Sequence, residues 1–242
     1  MPFTFTHPSI VVPFLKSKAS HWFSATGLII GSLLPDFEYF IRMNLKSEHS
    51  HSFSGIFWFN LPLSILLCFV FHAFVKFPLL SNSPKYFQNR LNVYNTFNWN
   101  TYFLDQWKIV FSSLIIGTTS HIIWDSFTHK NAYFVELLHL NTTFLSIPLY
   151  SYLQHGSTLI GGLYLCLQFH RLKTNQNSIT PINPYYWLGV LAITLVIITL
   201  KMYNQHFAIG HFIVTAISGF LIAIVICSVV LTFHHRKINP GQ

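Results

Sequence analysis

The chain has 242 residues, 52% hydrophobic and 17% aromatic, and only 8% are charged, against about 25% in a soluble domain. With a mean hydropathy of +0.46, this excludes an ordinary soluble domain and points to an all-α, polytopic helical membrane bundle, a single domain over residues 1–242. The net charge of +8 comes from scattered Lys and Arg without a basic run or aromatic-interleaved patch; it reads as loop charge that sets membrane orientation, and no nucleic-acid partner is expected.

Thr6-His7-Pro8 opens the chain with a lone histidine before a proline, where capping or loop packing competes with metal ligation. No basic region followed by a clean apolar core marks a cleavable leader. Residues 22–41 are apolar but interrupted by Pro35-Asp36, which sets an acid at a proline-marked break. Asp36 is a metal candidate there, with turn chemistry as its ordinary alternative. Glu38 is expected to face solvent. Glu48-His49-Ser50-His51-Ser52 holds two histidines one residue apart, and one of them is expected to be a ligand; His51 is favoured because it lies nearer the following span.

Residues 56–75 form a predicted span despite Pro62 and His72. Residues 77–106 read as a loop with short helices. A second span covers 107–124 and a third 145–169, the latter interrupted by Pro148 and by Gln154-His155-Gly156-Ser157-Thr158. After a connection closed by Pro181 and Pro184, residues 187–200 and 208–233 are the strongest spans, the first preceded by an interfacial Tyr185-Tyr186-Trp187 belt. The bundle thus has five spans, or six if 22–41 also crosses. Cys68, Cys166 and Cys227 sit singly in apolar runs and read as packing residues.

The most informative segment is His121-Ile-Ile-Trp-Asp125-Ser-Phe-Thr-His129. Residues four apart share a helix face, and imidazole and carboxylate are metal ligands. His121 and His129 are eight residues apart, about 12 Å along a helix axis, and cannot share one ion unless the helix ends between them. Asp125 is therefore the centre of a larger site, able to bridge two ions. The competing reading is a polar stripe at a helix end. His155, in a polar cluster inside an apolar segment, is a candidate ligand or proton donor. The full candidate set is His7, Asp36, His51, His121, Asp125, His129 and His155 for metal, with Asp125 and His155 as catalytic groups. No P-loop, dinucleotide fingerprint, zincin motif or nucleophile elbow is present.

These residues carry a resemblance. Met1 to Pro8, Gly31 to Tyr39, His121 to His129 and Gln154 to Thr158 together resemble a bacterial membrane-protein family of unknown function. That family is similar to LexA-regulated inner-membrane proteins described as metal-dependent hydrolases. A remoter likeness is to zinc-dependent phospholipase C and P1-type nucleases, whose all-helical sites use a His-x3-Asp element matched here by His121 and Asp125. In that group the next histidine comes two residues later than His129, and an acid stands where this chain has Leu159.

The resemblance implies a divalent cofactor, zinc, as one or two ions. It also implies hydrolysis of phosphoesters such as phospholipids at the lipid bilayer. The resemblance implies a bacterial inner membrane, and counting Lys and Arg over five spans is expected to place the site on its outer face. The alternative is a transporter or a metal-binding membrane protein without hydrolytic activity.

Overall fold

A chain this apolar satisfies its backbone groups most simply inside helices, and the structure is all-α. It is a computed structural model that describes residues 3–175, 179–203 and 208–238. Among them the strands are limited to a short antiparallel ribbon, Thr143–Phe144 with Ile147–Pro148. The chain divides into two compact units, one of residues 1–37, 48–66 and 101–171, the other of 38–47, 67–100 and 172–242.

In the first unit, helix Ala25–Leu33 packs on the long helix Trp99–Thr128, which is kinked at Gln106. Ser24 caps the shorter helix by accepting from Gly27 N, and Ser24 N is held by Ser113 Oγ at 2.9 Å. Small residues let the backbones meet. A Cβ on Gly117 would lie 2.5 Å from Leu28 O, and one on Gly31 would collide with Leu114 O. This close approach sets a helix face of residues 28–32 against the turns that carry His121 and Asp125. The N-terminal segment, a 3-10 turn Thr4–Thr6 followed by Pro8–Val11, is buried at Thr4, Thr6, His7, Ser9 and Val11. Thr158 Oγ1 accepts from Phe3 N at 3.1 Å, tying that segment to helix Leu149–His170.

In the second unit, Pro184–Met202 and Ile209–Ile238 pair around Tyr186, Val190, Ala223 and Ile224, with Val75. The Tyr186 and Ser228 hydroxyls meet at 3.0 Å, which satisfies the buried Tyr186 phenol. Buried Lys76 donates to the carbonyls of Tyr94 and Phe97 at 3.0 and 2.8 Å. Gln88 Nε2 donates to Ser81, Ser83 and Thr180 carbonyls, and Trp187 Nε1 to Asn82 O.

The expected five or six spans reduce to three. Among the described residues, Phe53–Ser81, Pro184–Met202 and Ile209–His234 are long and apolar enough to cross a membrane. The reasons are local. Residues 22–41 break at a 3-10 turn, Leu34–Asp36, into helices of nine and six residues. In 145–169 the helix begins only at Leu149 and carries Gln154, His155, Ser157 and Thr158. Residues 107–124 are helical but carry Ser112, Ser113, Thr118, Thr119, Ser120 and His121. The first span is longer than expected, running from Phe53 to Ser81 through Pro62 and Pro78, with a π-helical turn ahead of each proline, Ile56–Asn60 and Phe71–Val75. Such turns relieve a helix where a regular hydrogen bond is missing or displaced. All three cysteines are free; Cys68 is buried as expected, whereas Cys166 is exposed.

Candidate metal centre

Asp36 is the last residue of the Leu34–Asp36 turn. Pro35 ends the preceding helix there, so the carboxylate leaves the helix axis and enters the unit's interior. Thr4 Oγ1 donates to Asp36 Oδ2 at 2.5 Å, which leaves Oδ1 facing inward. His121 and Asp125 lie one turn apart on helix Trp99–Thr128, both buried. His51 arrives on the loop before Phe53–Ser81. Ser52 Oγ donates to His49 O at 2.7 Å, and Asn60 Nδ2 donates to Ser50 O at 2.6 Å. Asn60 belongs to the first π-helical turn, so that turn pins the loop that presents His51.

These four side chains converge. One ligand atom from each of Asp36, His51, His121 and Asp125 lies within 4.8 Å of every other. His121 Nε2 is 3.2 Å from Asp125 Oδ2 and 3.6 Å from Asp36 Oδ1. His51 Nε2 is 3.4 Å from Asp125 Oδ2 and 3.7 Å from Asp36 Oδ1. A tetrahedral ion with bonds of about 2.0–2.2 Å has ligand–ligand edges of about 3.3–3.6 Å. Charge-assisted hydrogen bonds close to about 2.7–2.9 Å instead. The spacing therefore fits an ion better than direct bonding.

Hydrogen bonding around the rings agrees. His121 Nδ1 donates to Ser32 O at 2.7 Å, so in the neutral ring Nε2 carries the lone pair. That lone pair faces two carboxylate oxygens, and His121 Nε2, Asp36 Oδ1 and Asp125 Oδ2 are all buried without a hydrogen-bond partner. Acceptors gathered in this way repel one another unless a cation lies among them. The residues present thus fit a divalent ion.

The electrostatics point the same way. Burial alone would raise the Asp36 carboxyl, but the close approach and charge of His121, with His51 and His7, hold it below the usual carboxylate range. Asp125 is likewise lowered against its burial by His121, His51 and His7. Burial opposes charge on the His121 ring, yet Asp125 and Asp36 outweigh it and push its pKa up to about 10. His51 is raised by the same two carboxylates against the same penalty. The cluster demands positive charge, and protons supply it when no ion does.

The other candidates fall around this group. His7 is buried, its Nε2 3.2 Å from Asp125 Oδ1 and its ring stacked on His121 at 3.7 Å. Its Nδ1 donates to Thr4 O at 3.2 Å. His129 follows the end of the helix at Thr128 and folds back, with Nδ1 3.1 Å from Asp125 O and 3.5 Å from Asp125 Oδ1. Its Nε2 is buried and has no hydrogen-bond partner, and burial lowers its pKa. Both histidines contact the Asp125 oxygen that faces away from the four converging atoms.

His155 is exposed on helix Leu149–His170 and is not among the four. Its neighbours serve the fold. Ser157 accepts from Trp124 Nε1 at 3.1 Å, and Thr158 holds Phe3 N. Of the two loop histidines, His51 joins the group, while His49 packs edge-on against Trp58. Glu38, expected to face solvent, is buried and bonded to Arg42 and Ser47. His206 lies outside the described residues.

Three supporting groups escaped the sequence reading. Ser32 acts through its carbonyl, which no side-chain pattern reveals. Thr4 looks like any N-terminal threonine. Asn60 had a visible signal, an amide at the head of an apolar run.

Helix packing and a buried His2Asp2 cluster define this as an all-α protein with membrane-length helices and a metal-binding geometry. The chain belongs to the family described as domain of unknown function DUF4184, whose model matches residues 1–229. No curated protein and no solved structure matches it.

Proposed function

We propose that the protein is a metal-dependent hydrolase that acts on phosphoesters at a membrane interface. The observation that carries this reading is the convergence of Asp36, His51, His121 and Asp125, with one ligand atom from each within 4.8 Å of the others and no hydrogen bonds among the facing atoms. A nitrogen and oxygen donor set without thiolate suits zinc. The ion would polarise a phosphoryl oxygen and acidify a water. Asp36 and His121 are fully buried and form the floor, whereas the His51 side chain is 24% and that of His129 28% exposed. Substrate would therefore approach from the His51 and His129 side. His129, kept neutral by burial and with Nε2 unpartnered, is suited to take the proton from that water.

His51 stands two residues before Phe53, where the first membrane-length helix begins, which favours a site at the bilayer surface. Placement in a bacterial inner membrane belongs to the same proposal and rests on the family resemblance; the outer face does not carry over, because the Lys and Arg count assumed five crossings and three helices are long and apolar enough.

One observation favours a second reading, a metal-binding membrane protein without hydrolysis. Four protein side chains converge here, whereas catalytic zinc sites ordinarily have three protein ligands and an open position.

Purified protein is expected to carry about one zinc per chain by elemental analysis. Asp125→Ala should carry none, and phosphodiester hydrolysis should vanish on chelation and return with zinc. Equal, near-zero metal in both proteins would sink the proposal. Full metal with no turnover of any phosphoester would leave the second reading.

A further inference from the structure

Each carboxylate of the metal centre turns one oxygen toward the converging atoms and the other toward the N-terminal segment. Asp36 offers Oδ1 inward, and its Oδ2 accepts from the Thr4 hydroxyl. Asp125 offers Oδ2 inward, and its Oδ1 meets His7 Nε2 at 3.2 Å. His129 Nδ1 is farther from that oxygen, at 3.5 Å. We propose that Thr4 and His7 are positioning residues that fix Asp36 and Asp125 as single-oxygen ligands, so that docking of the N-terminal segment and binding of the ion support one another. The inference rests on the metal reading above and does not depend on hydrolysis.

Both contacts come from one short turn. Thr4 opens the 3-10 turn Thr4–Thr6 and His7 closes it, with His7 Nδ1 on Thr4 O at 3.2 Å. The His7 ring thus has an acceptor on each side, which a ring with an N–H on both nitrogens satisfies. Thr4 and His7 are both buried, and His7 is stacked on His121 at 3.7 Å. The turn is also anchored from behind. Phe3 N donates to Thr158 Oγ1 at 3.1 Å, and a Cβ on Gly161 would lie 2.8 Å from Ser9 Oγ. Thr158, in the polar cluster of helix Leu149–His170, therefore holds the segment that holds the carboxylates.

A carboxylate with both oxygens free can rotate to bind an ion through two donors. A hydrogen bond to one oxygen opposes that rotation, and such partners of metal ligands are ordinarily worth about 10–100-fold in affinity. With both carboxylates held, the protein offers one donor atom from each of Asp36, His51, His121 and Asp125. The coupling is reciprocal. An ion that fixes the carboxylates also fixes the groups bonded to them, so it must favour docking of the segment by the same factor.

Two matched pairs of variants in the full chain test this. Thr4→Val removes the hydroxyl at nearly equal volume, and Thr4→Ser keeps it. His7→Phe keeps a ring and removes the donor, and His7→Gln restores a donor. In competitive chelator titrations Thr4→Val and His7→Phe are expected to bind zinc about 10–100-fold more weakly than wild type, whereas Thr4→Ser and His7→Gln stay near it. Cobalt bound to Thr4→Val and His7→Phe should absorb more weakly per ion in the visible, the signature of added oxygen donors, which lost packing alone does not produce. Hydrogen exchange on the wild type requires no variant to fold: amides of residues 4–11 should slow on zinc addition by more than those of Pro184–Met202. Equal zinc affinity and equal cobalt spectra across wild type and all four variants would overturn the inference, as would exchange in residues 4–11 that ignores zinc. Absence of metal from the wild type would instead overturn the metal reading itself.

Discussion

His121 shows how one side chain is shaped by three others. Ser32 O fixes its tautomer, and Asp36 and Asp125 draw positive charge to its free nitrogen. A metal ion held here would therefore compete with a proton for the same lone pair. Because the folded pKa is raised to about 10, the ring is protonated at neutral pH when no ion is bound. Binding must expel that proton, so apparent zinc affinity should rise with pH, by about tenfold per pH unit for each proton displaced. Competitive chelator titrations between about pH 7 and 9 check this. A flat profile would mean that the rings are neutral before the ion arrives.

The ligand types were legible in the sequence. His121 and Asp125 stand out from their spacing alone, because i and i+4 meet on any helix. Asp36 stood out because an acid after Pro35 in an apolar chain demands a reason. The choice of His51 over His49 had only the nearness of His51 to the next helix to support it. His155 looked equally functional in sequence yet is exposed, because Ser157 and Thr158, not His155, take the inward side of that helix turn.

Helix contacts convert these residues into a centre. Gly31 and Gly117 allow Ala25–Leu33 and Trp99–Thr128 to meet backbone to backbone, which delivers Ser32 O to His121. Gly117→Leu should therefore do more than destabilise. Overpacking of this kind costs about 1–3 kcal/mol, and the helices must part where the ring is oriented. Thermal unfolding with metal analysis should show a lower melting temperature and lost zinc. Gly162→Ala, whose Cβ would make only an ordinary 3.6 Å contact with Thr6, should change neither. Normal zinc content in folded Gly117→Leu would remove helix packing from the account of the site. Periodicity announced the long helices but not these contacts, because small residues in apolar runs do not name their partners.

The contact between His51 and Asp125 constrains the molecule in its membrane. His51 lies just before Phe53–Ser81, and Asp125 near the end of Trp99–Thr128, so if Phe53–Ser81 crosses the membrane, Trp99–Thr128 must bring the chain back, with residues 48–52 and 129–131 on one face. Single cysteines replacing Glu48 and Lys130 should be labelled by an impermeant maleimide from the same side of oriented vesicles. Labelling from opposite sides would be incompatible with this site.

The sequence by itself determined the helical class, the apolar character and the residue types of the candidate site, since these follow from composition and local spacing. It overcounted the spans because hydropathy windows run through the Leu34–Asp36 turn and the polar turns of 107–124 and 145–169. Only the tertiary structure decided which of seven candidates meet. Residues 36, 51, 121 and 125 are brought together by three separate helix ends, and that convergence depends on packing distances that no local pattern encodes.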